Sequence, residues 1–214
     1  MDEAVIVLNF TKIKENSIVL HTLSRTYGRK SFLIHARGKS SMSWYLPLNI
    51  IDLSVTENHR SELWTAKPTS VEHPLNGIRN NLYKNTMSLF MAEVLYRTIK
   101  DGTLEDGLFE WCIHQILTLD ALETDFSNYH IRFLLELCIA LGFRPEASDM
   151  IPFSGNNQEI IEKFMSSDLA ESMLIPLNGS IRNDIAYSII KYLEFHTESV
   201  INIRSLQVLR ELYA

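Results

Sequence analysis

Apolar and polar positions repeat at two different periods along this 214-residue chain, and the change falls near residue 75. Before it come short apolar runs of strand length: Ala4 to Leu8, Ile18 to Leu23, Ser31 to Arg37, Leu48 to Val55 and Leu63 to Lys67. Turn formers and charge separate them, at the polar break Asn9 to Asn16, at Tyr27-Gly28, at Gly38 to Trp44 and at Glu57 to Ser61. Five short strands with no convincing helix between most of them predict a small Greek-key barrel such as an OB-fold. An SH3-like barrel would give much the same pattern.

From Gly77 onward the apolar positions recur at helical spacing. Tyr83, Met87, Phe90, Met91, Val94 and Leu95 form one stripe, Leu108, Trp111, Cys112, Ile116 and Leu119 a second, and Ile131, Leu134, Leu135, Cys138 and Ile139 a third. The third segment also carries Phe133, Leu137 and Leu141, so it is apolar nearly all round and is expected at the centre of a bundle. Gly142 supplies a left-handed cap and Pro145 forbids continuation. Residues 144 to 158 read as an irregular excursion. Helical patterns resume at Ile160 to Met165, at Ile185 to His196, and at Leu206, Leu209 and Tyr213. The expected class is therefore α+β with two domains: a five-stranded OB-fold β-barrel over residues 1–75 and an all-α helical domain over 76–214.

Charge divides the chain at the same place. Residues 1–75 hold 9 Lys+Arg against 7 Asp+Glu, net +2, whereas 76–214 hold 11 against 19, net -8. Between Asn16 and Ile51 stand Arg25, Arg29, Lys30, Arg37 and Lys39 with no acid at all. Such a run across the second and third strands suggests a groove for DNA or RNA; a solvated basic surface is the plain alternative. Phe10, Tyr27, Phe32, Trp44 and Tyr45 interleave with it, and rings among cations are what single-strand binders use. Phe32 alternates in a strand and reads equally as core, while Trp44 and Tyr45 read as stacking platforms or as barrel side chains. Asp101 to Glu171 holds 14 acids against Arg132, Arg144 and Lys163, so nucleic acid is not expected there.

Enzymatic motifs are missing. The chain has no phosphate-binding Gly-rich loop, nucleophile elbow or His-Glu-x-x-His, and its eight glycines leave little to build one from. Cys112 and Cys138 are the two cysteines, each inside an apolar helical pattern, and read as buried thiols. His114, His130 and His196 read as core or boundary residues. The opening Met1-Asp2-Glu3 is too acidic for a signal peptide, and no apolar stretch reaches membrane-spanning length. A cytoplasmic, non-enzymatic protein without cofactor or metal is expected.

Four segments in order resemble the bacterial RecO recombination mediators: Tyr27-Gly28-Arg29-Lys30-Ser31 leading into Ala36-Arg37-Gly38-Lys39-Ser40; Leu46-Pro47-Leu48; Arg132-Phe133-Leu134-Leu135-Glu136-Leu137 running into Leu141-Gly142-Phe143-Arg144-Pro145; and Ile203-Arg204-Ser205-Leu206. The resemblance covers nearly the whole chain. It implies an OB-fold joined to a helical domain, binding of single- and double-stranded DNA, for which the basic run and its aromatics offer Arg25, Arg29, Lys30, Arg37, Lys39, Trp44 and Tyr45 as candidate contacts, and annealing of complementary strands in a nucleoid-associated setting. It also implies action with RecR to load RecA onto DNA covered by the single-stranded DNA-binding protein, whose acidic, Phe-ended tail would dock at Arg132 and Leu135. A plain Arg132–Glu136 salt bridge is the other reading of that arginine. The chain departs from the family's pattern twice. Residues 144 to 180 lack the four zinc-binding cysteines of many members, and Ser40, Ser41 and Ser43 stand where the family concentrates Lys and Arg. The competing functional reading is an OB-fold interaction module that binds RNA or a protein partner without annealing DNA.

Overall fold

The structure of the chain, a computed structural model, describes residues 2–35, 39–58 and 60–212. Its first part is a closed barrel of β1 (Asp2–Lys14), β2 (Ser17–Ser24), β3 (Gly28–Ile34), β4 (Ile50–Thr56) and β5 (Trp64–Val71), in the order β1-β2-β3-β5-β4. Neighbours are antiparallel except β3 and β5, which run parallel with Phe32 opposite Trp64 and Ile34 opposite Ala66. With β1 pairing both β2 and β4, the barrel is an OB-fold, which removes the SH3-like alternative.

Alternation in β1 explains why its first half reads as an unbroken apolar run. Val5 and Val7 point into the barrel interior with Leu20, Phe32, Ile34 and Leu53. Ile6 and Leu8 point outward and join Leu23, Leu48 and Ile50 in the apolar cluster of the helices. A strand buried on both faces loses its polar positions. The barrel and the helices are thus welded through one core.

The second half of β1 departs from expectation. Asn9 to Lys14, read as a polar break, continue the strand: Thr11 lies opposite Val19, Lys12 opposite Ile18 and Lys14 opposite Ser17, after a bulge between Val7 and Asn9. These six residues are all exposed, so backbone pairing is what chiefly holds them and no buried alternation marks them in the sequence. Pairing with β4 ends at Ile6, so the β1–β2 ribbon projects past the barrel. The third strand stops at Ile34; Ala36, Arg37 and Gly38, expected at its end, lie outside the described residues.

After β3 a 3-10 turn, Lys39–Tyr45, occupies the break read at Gly38 to Trp44. Asn49 donates from Nδ2 to the carbonyls of Ser43 and Trp44, at 2.9 and 3.1 Å, and Arg79 donates to Asn49 Oδ1 at 2.7 Å and to the Pro47 carbonyl at 2.6 Å. This knot fixes the turn against both the barrel and the first helix.

The helical part comprises α1 (Asn76–Arg79), α2 (Leu82–Thr98), α3 (Leu108–Ala121), α4 (Tyr129–Ala140), α5 (Ala147–Ser154), α6 (Gln158–Ser166), α7 (Leu169–Leu174), α8 (Gly179–Thr197) and α9 (Ser205–Leu212). The α4 helix is buried on several sides, through Ile131, Phe133, Leu134, Leu137 and Cys138, as its pattern predicts. It closes as predicted too: Gly142 has φ 84°, its N–H donates to Ile139 O at 3.0 Å, and Phe143 N–H donates to Cys138 O at 2.7 Å. These two bonds form a Schellman motif. Within the stretch read as irregular lies α5, started by Asp149, whose carboxylate accepts the Glu146 N–H at 2.9 Å, and anchored by the fully buried Met150. Its Pro152 deletes one donor, which so short a helix tolerates. Tyr213, read as the end of the last helix, lies outside the described residues.

Candidate nucleic-acid interface

The acid-free run of the sequence is not acid-free in space. Arg25, in the turn after β2, sits 4.8 Å over the Phe109 ring with Nε 3.1 Å from Glu110 Oε1. Arg29, at the start of β3, lies 4.4 Å over Tyr96 with Nη1 2.8 Å from Asp101 Oδ1. The two pairs differ in strength. Both side chains of the first are over half exposed, 53% and 62%, so solvent screens it and Arg25 can trade Glu110 for another anion. Arg29 is only 12% exposed and belongs to the seam between barrel and helices. The cleft at this seam, about 230 Å³, adds Glu105, Asp106 and Glu110 opposite Arg25, which directs a polyanion away from it.

Gly28 builds the seam. Its φ of 62° and its contact with the α2–α3 loop admit no side chain: a Cβ would stand 2.0 Å from the Thr103 carbonyl oxygen. Next to it, Arg29 N–H donates to Thr103 O at 3.1 Å and Gly102 N–H to Arg29 O at 2.8 Å, so the loop is laced to the start of β3.

Lys30 takes a different direction. Its ammonium stands 3.9 Å from the centre of the Trp64 ring, and Tyr27 meets the same ring edge-on at 5.1 Å. Burial, with Glu57 and Glu3 next in weight, raises the Tyr27 hydroxyl above its ordinary pKa. Sequence reading missed Trp64 as a member of this cluster; an aromatic residue inside the predicted strand Leu63 to Lys67 was the available signal, while its place opposite Phe32 emerges only in the fold. Trp44 is half-buried against the barrel core. Of the two readings left open for Tyr45, the structure has the barrel side chain: at 2% exposure it plugs the barrel, and the Asn49–Arg79 knot holds its segment inward. Arg37 and the side chain of Lys39 lie outside the described part of the chain.

Lys12 and Lys14, outside the acid-free window, stand exposed on the projecting ribbon with Phe10 and Ile13 beside them. The ribbon is tied to the entrance of the basic turn, since Ser17 Oγ lies 3.1 Å from His35 Nδ1. On the outer face of the sheet His21 bridges Thr11 and Ser31, at 3.0 and 2.9 Å, and leans on Tyr96. Burial and then the Arg29 cation lower its pKa, against an opposing pull from Asp101, which disfavours a further positive charge on the imidazole.

On the helical side Arg132 and Leu135, expected to dock an acidic tail, both have structural partners, and the Arg132–Glu136 salt bridge offered as the other reading is formed. Arg132 donates from Nε to Glu136 Oε1 at 2.6 Å and from Nη1 to the Phe164 and Ser167 carbonyls at 3.2 and 2.6 Å, so it ties α4 to the end of α6. Leu135 is 4% exposed and belongs to the core. Both cysteines are buried free thiols; burial pushes Cys112 up and Cys138 up to about 12.

Fold and surface together define a class: a closed OB barrel, cationic along its projecting ribbon and β3, fused through a common core to a helical bundle. No protein-family model matches the chain. It is similar over 97% of its own length and 97% of theirs to the DNA repair protein RecO of Christiangramia forsetii, at 26% identity, and to that of Bacteroides fragilis, at 27%. The DNA repair protein RecO of Phocaeicola vulgatus is 30% identical over 67% of this chain and 61% of that protein. From end to end, then, the chain is similar to the RecO family.

Proposed function

We propose that this protein serves DNA repair and homologous recombination as a mediator without catalytic residues. In this reading the barrel binds single- and double-stranded DNA, complementary strands are annealed on it, and with RecR it helps load RecA onto DNA coated by the single-stranded DNA-binding protein in the cytoplasm. The end-to-end similarity to curated DNA repair proteins carries the reading. Elementary electrostatics supplies the mechanism. Each lysine or arginine that meets a phosphate releases a condensed counterion, and a neutralised strand meets its complement with less repulsion. Lys12, Lys14 and Lys30 are barrel cations that could serve this, with Arg37 and Lys39 of the basic turn as further contacts.

The ion pairs of Arg25 and Arg29 thin the positive surface, which favours a second reading: an interaction module for RNA or a protein partner. A strand-annealing assay separates the two. With donor and acceptor dyes on complementary oligonucleotides, the protein is expected to speed the rise in energy transfer, and Lys30→Ala to slow it. An unaccelerated rise under conditions where the protein is folded would favour the second reading.

A further inference from the structure

Past Val7, whose N–H and carbonyl still pair with Asn49 O and Leu48 N–H, β1 has its strand partner on one side, and the ribbon it makes with β2 leaves two large apolar side chains in water: Phe10 is 36% exposed and Ile13 51%. They alternate with Lys12 and Lys14, both exposed. The open edge is blunted against strand addition by a protein. Asn9 Oδ1 accepts the Phe10 N–H at 2.8 Å, a bulge precedes it, and lysines follow. Phe10 and Lys12, two residues apart on one side of the strand, are separated by about 6.6 Å of rise. A ring and an ammonium so placed meet a base and a phosphate of the same nucleic-acid strand. Cations serve single strands and duplexes alike, whereas a ring gains only where a base is unstacked and shows its face.

Resting on the DNA-binding reading above, we infer that the β1–β2 ribbon is a single-strand-selective arm. Phe10 stacks on an unpaired base, with Ile13 as an apolar neighbour at the tip, while Lys12 and Lys14 neutralise adjoining phosphates. The Ser17–His35 contact joins the arm to the end of β3, so one strand passes from Lys14 toward His35.

Fluorescence anisotropy with the full-length protein, a labelled oligothymidine and a duplex of equal length tests this. Phe10→Ala is expected to weaken oligothymidine binding about tenfold and to change duplex binding less than about twofold. Lys12→Ala/Lys14→Ala should weaken both and reduce the log–log salt slope for the single strand by about 1.4. Phe10→Trp should restore single-strand binding and gain fluorescence quenching by oligothymidine relative to wild type, a readout that also confirms a folded arm. Unchanged oligothymidine binding in Phe10→Ala, or equal loss for both probes, overturns the arm while leaving the DNA-binding reading intact. A wild-type protein that binds neither probe overturns both.

Discussion

Burial holds His130 at 2% exposure, edge-on to Phe90 with ring centres 5.8 Å apart, and that burial, followed by the Arg182 cation, pushes its pKa down to about 3 from 6.5. Above pH 6.5 native and unfolded chains both carry it neutral. Below that, the unfolded chain takes a proton that the native chain refuses, so stability falls as pH falls, by up to about 1.4 kcal/mol per unit. Urea melts at pH 7 and pH 5 should show His130→Gln losing about 2 kcal/mol less than wild type over that interval; parallel losses would remove His130 from the acid limb. Core roles of this kind were legible in the sequence, because a lone histidine or cysteine inside an apolar helical stripe has nowhere else to go. Partners from distant segments were not. Nothing near Arg29 in the chain announces Asp101 or Tyr96, and nothing near Tyr45 announces that Arg79 and Asn49 will turn it inward.

Among the elements, periodicity decided what could be read. The long helices α2, α3, α4 and α8 declare themselves by buried stripes, whereas α1 and α7, of four and six residues, are too short to show a period. The outer half of β1 was lost for the opposite reason, as a strand that buries no side chain leaves no alternation. How β3 meets the α2–α3 loop is a matter of close approach, and Gly28 tests it. Gly28→Ala forces a left-handed φ on a residue with a Cβ and drives that carbon into the Thr103 carbonyl, so a loss of about 2–4 kcal/mol is expected. Gly102→Ala shares the positive φ of 75° but meets nothing within 4 Å, and should cost about 1 kcal/mol. Differential scanning calorimetry reads both; similar melting temperatures for the two variants would mean that the seam yields.

Across the whole molecule, two regions of opposite charge share one apolar core. Ile6, Leu8 and Leu23 of the barrel pack with Phe90 and Met91 of α2, so the barrel's orientation on the bundle is set by the same burial that stabilises both. The acid-rich helices then occupy one side, and where they reach the barrel they claim Arg29 outright and Arg25 weakly. The described cations clear of those acids are Lys12 and Lys14 on the ribbon and Lys30 over Trp64, and with Arg37 and Lys39 of the sequence's basic run they make the five phosphate contacts proposed above. The direct measurement is the dissociation constant of the full-length protein for a single-stranded oligonucleotide across a range of salt concentrations. Five contacts at about 0.7 each predict that log affinity falls against log salt with a slope near −3.5. A slope shallower than about −1 would contradict the account.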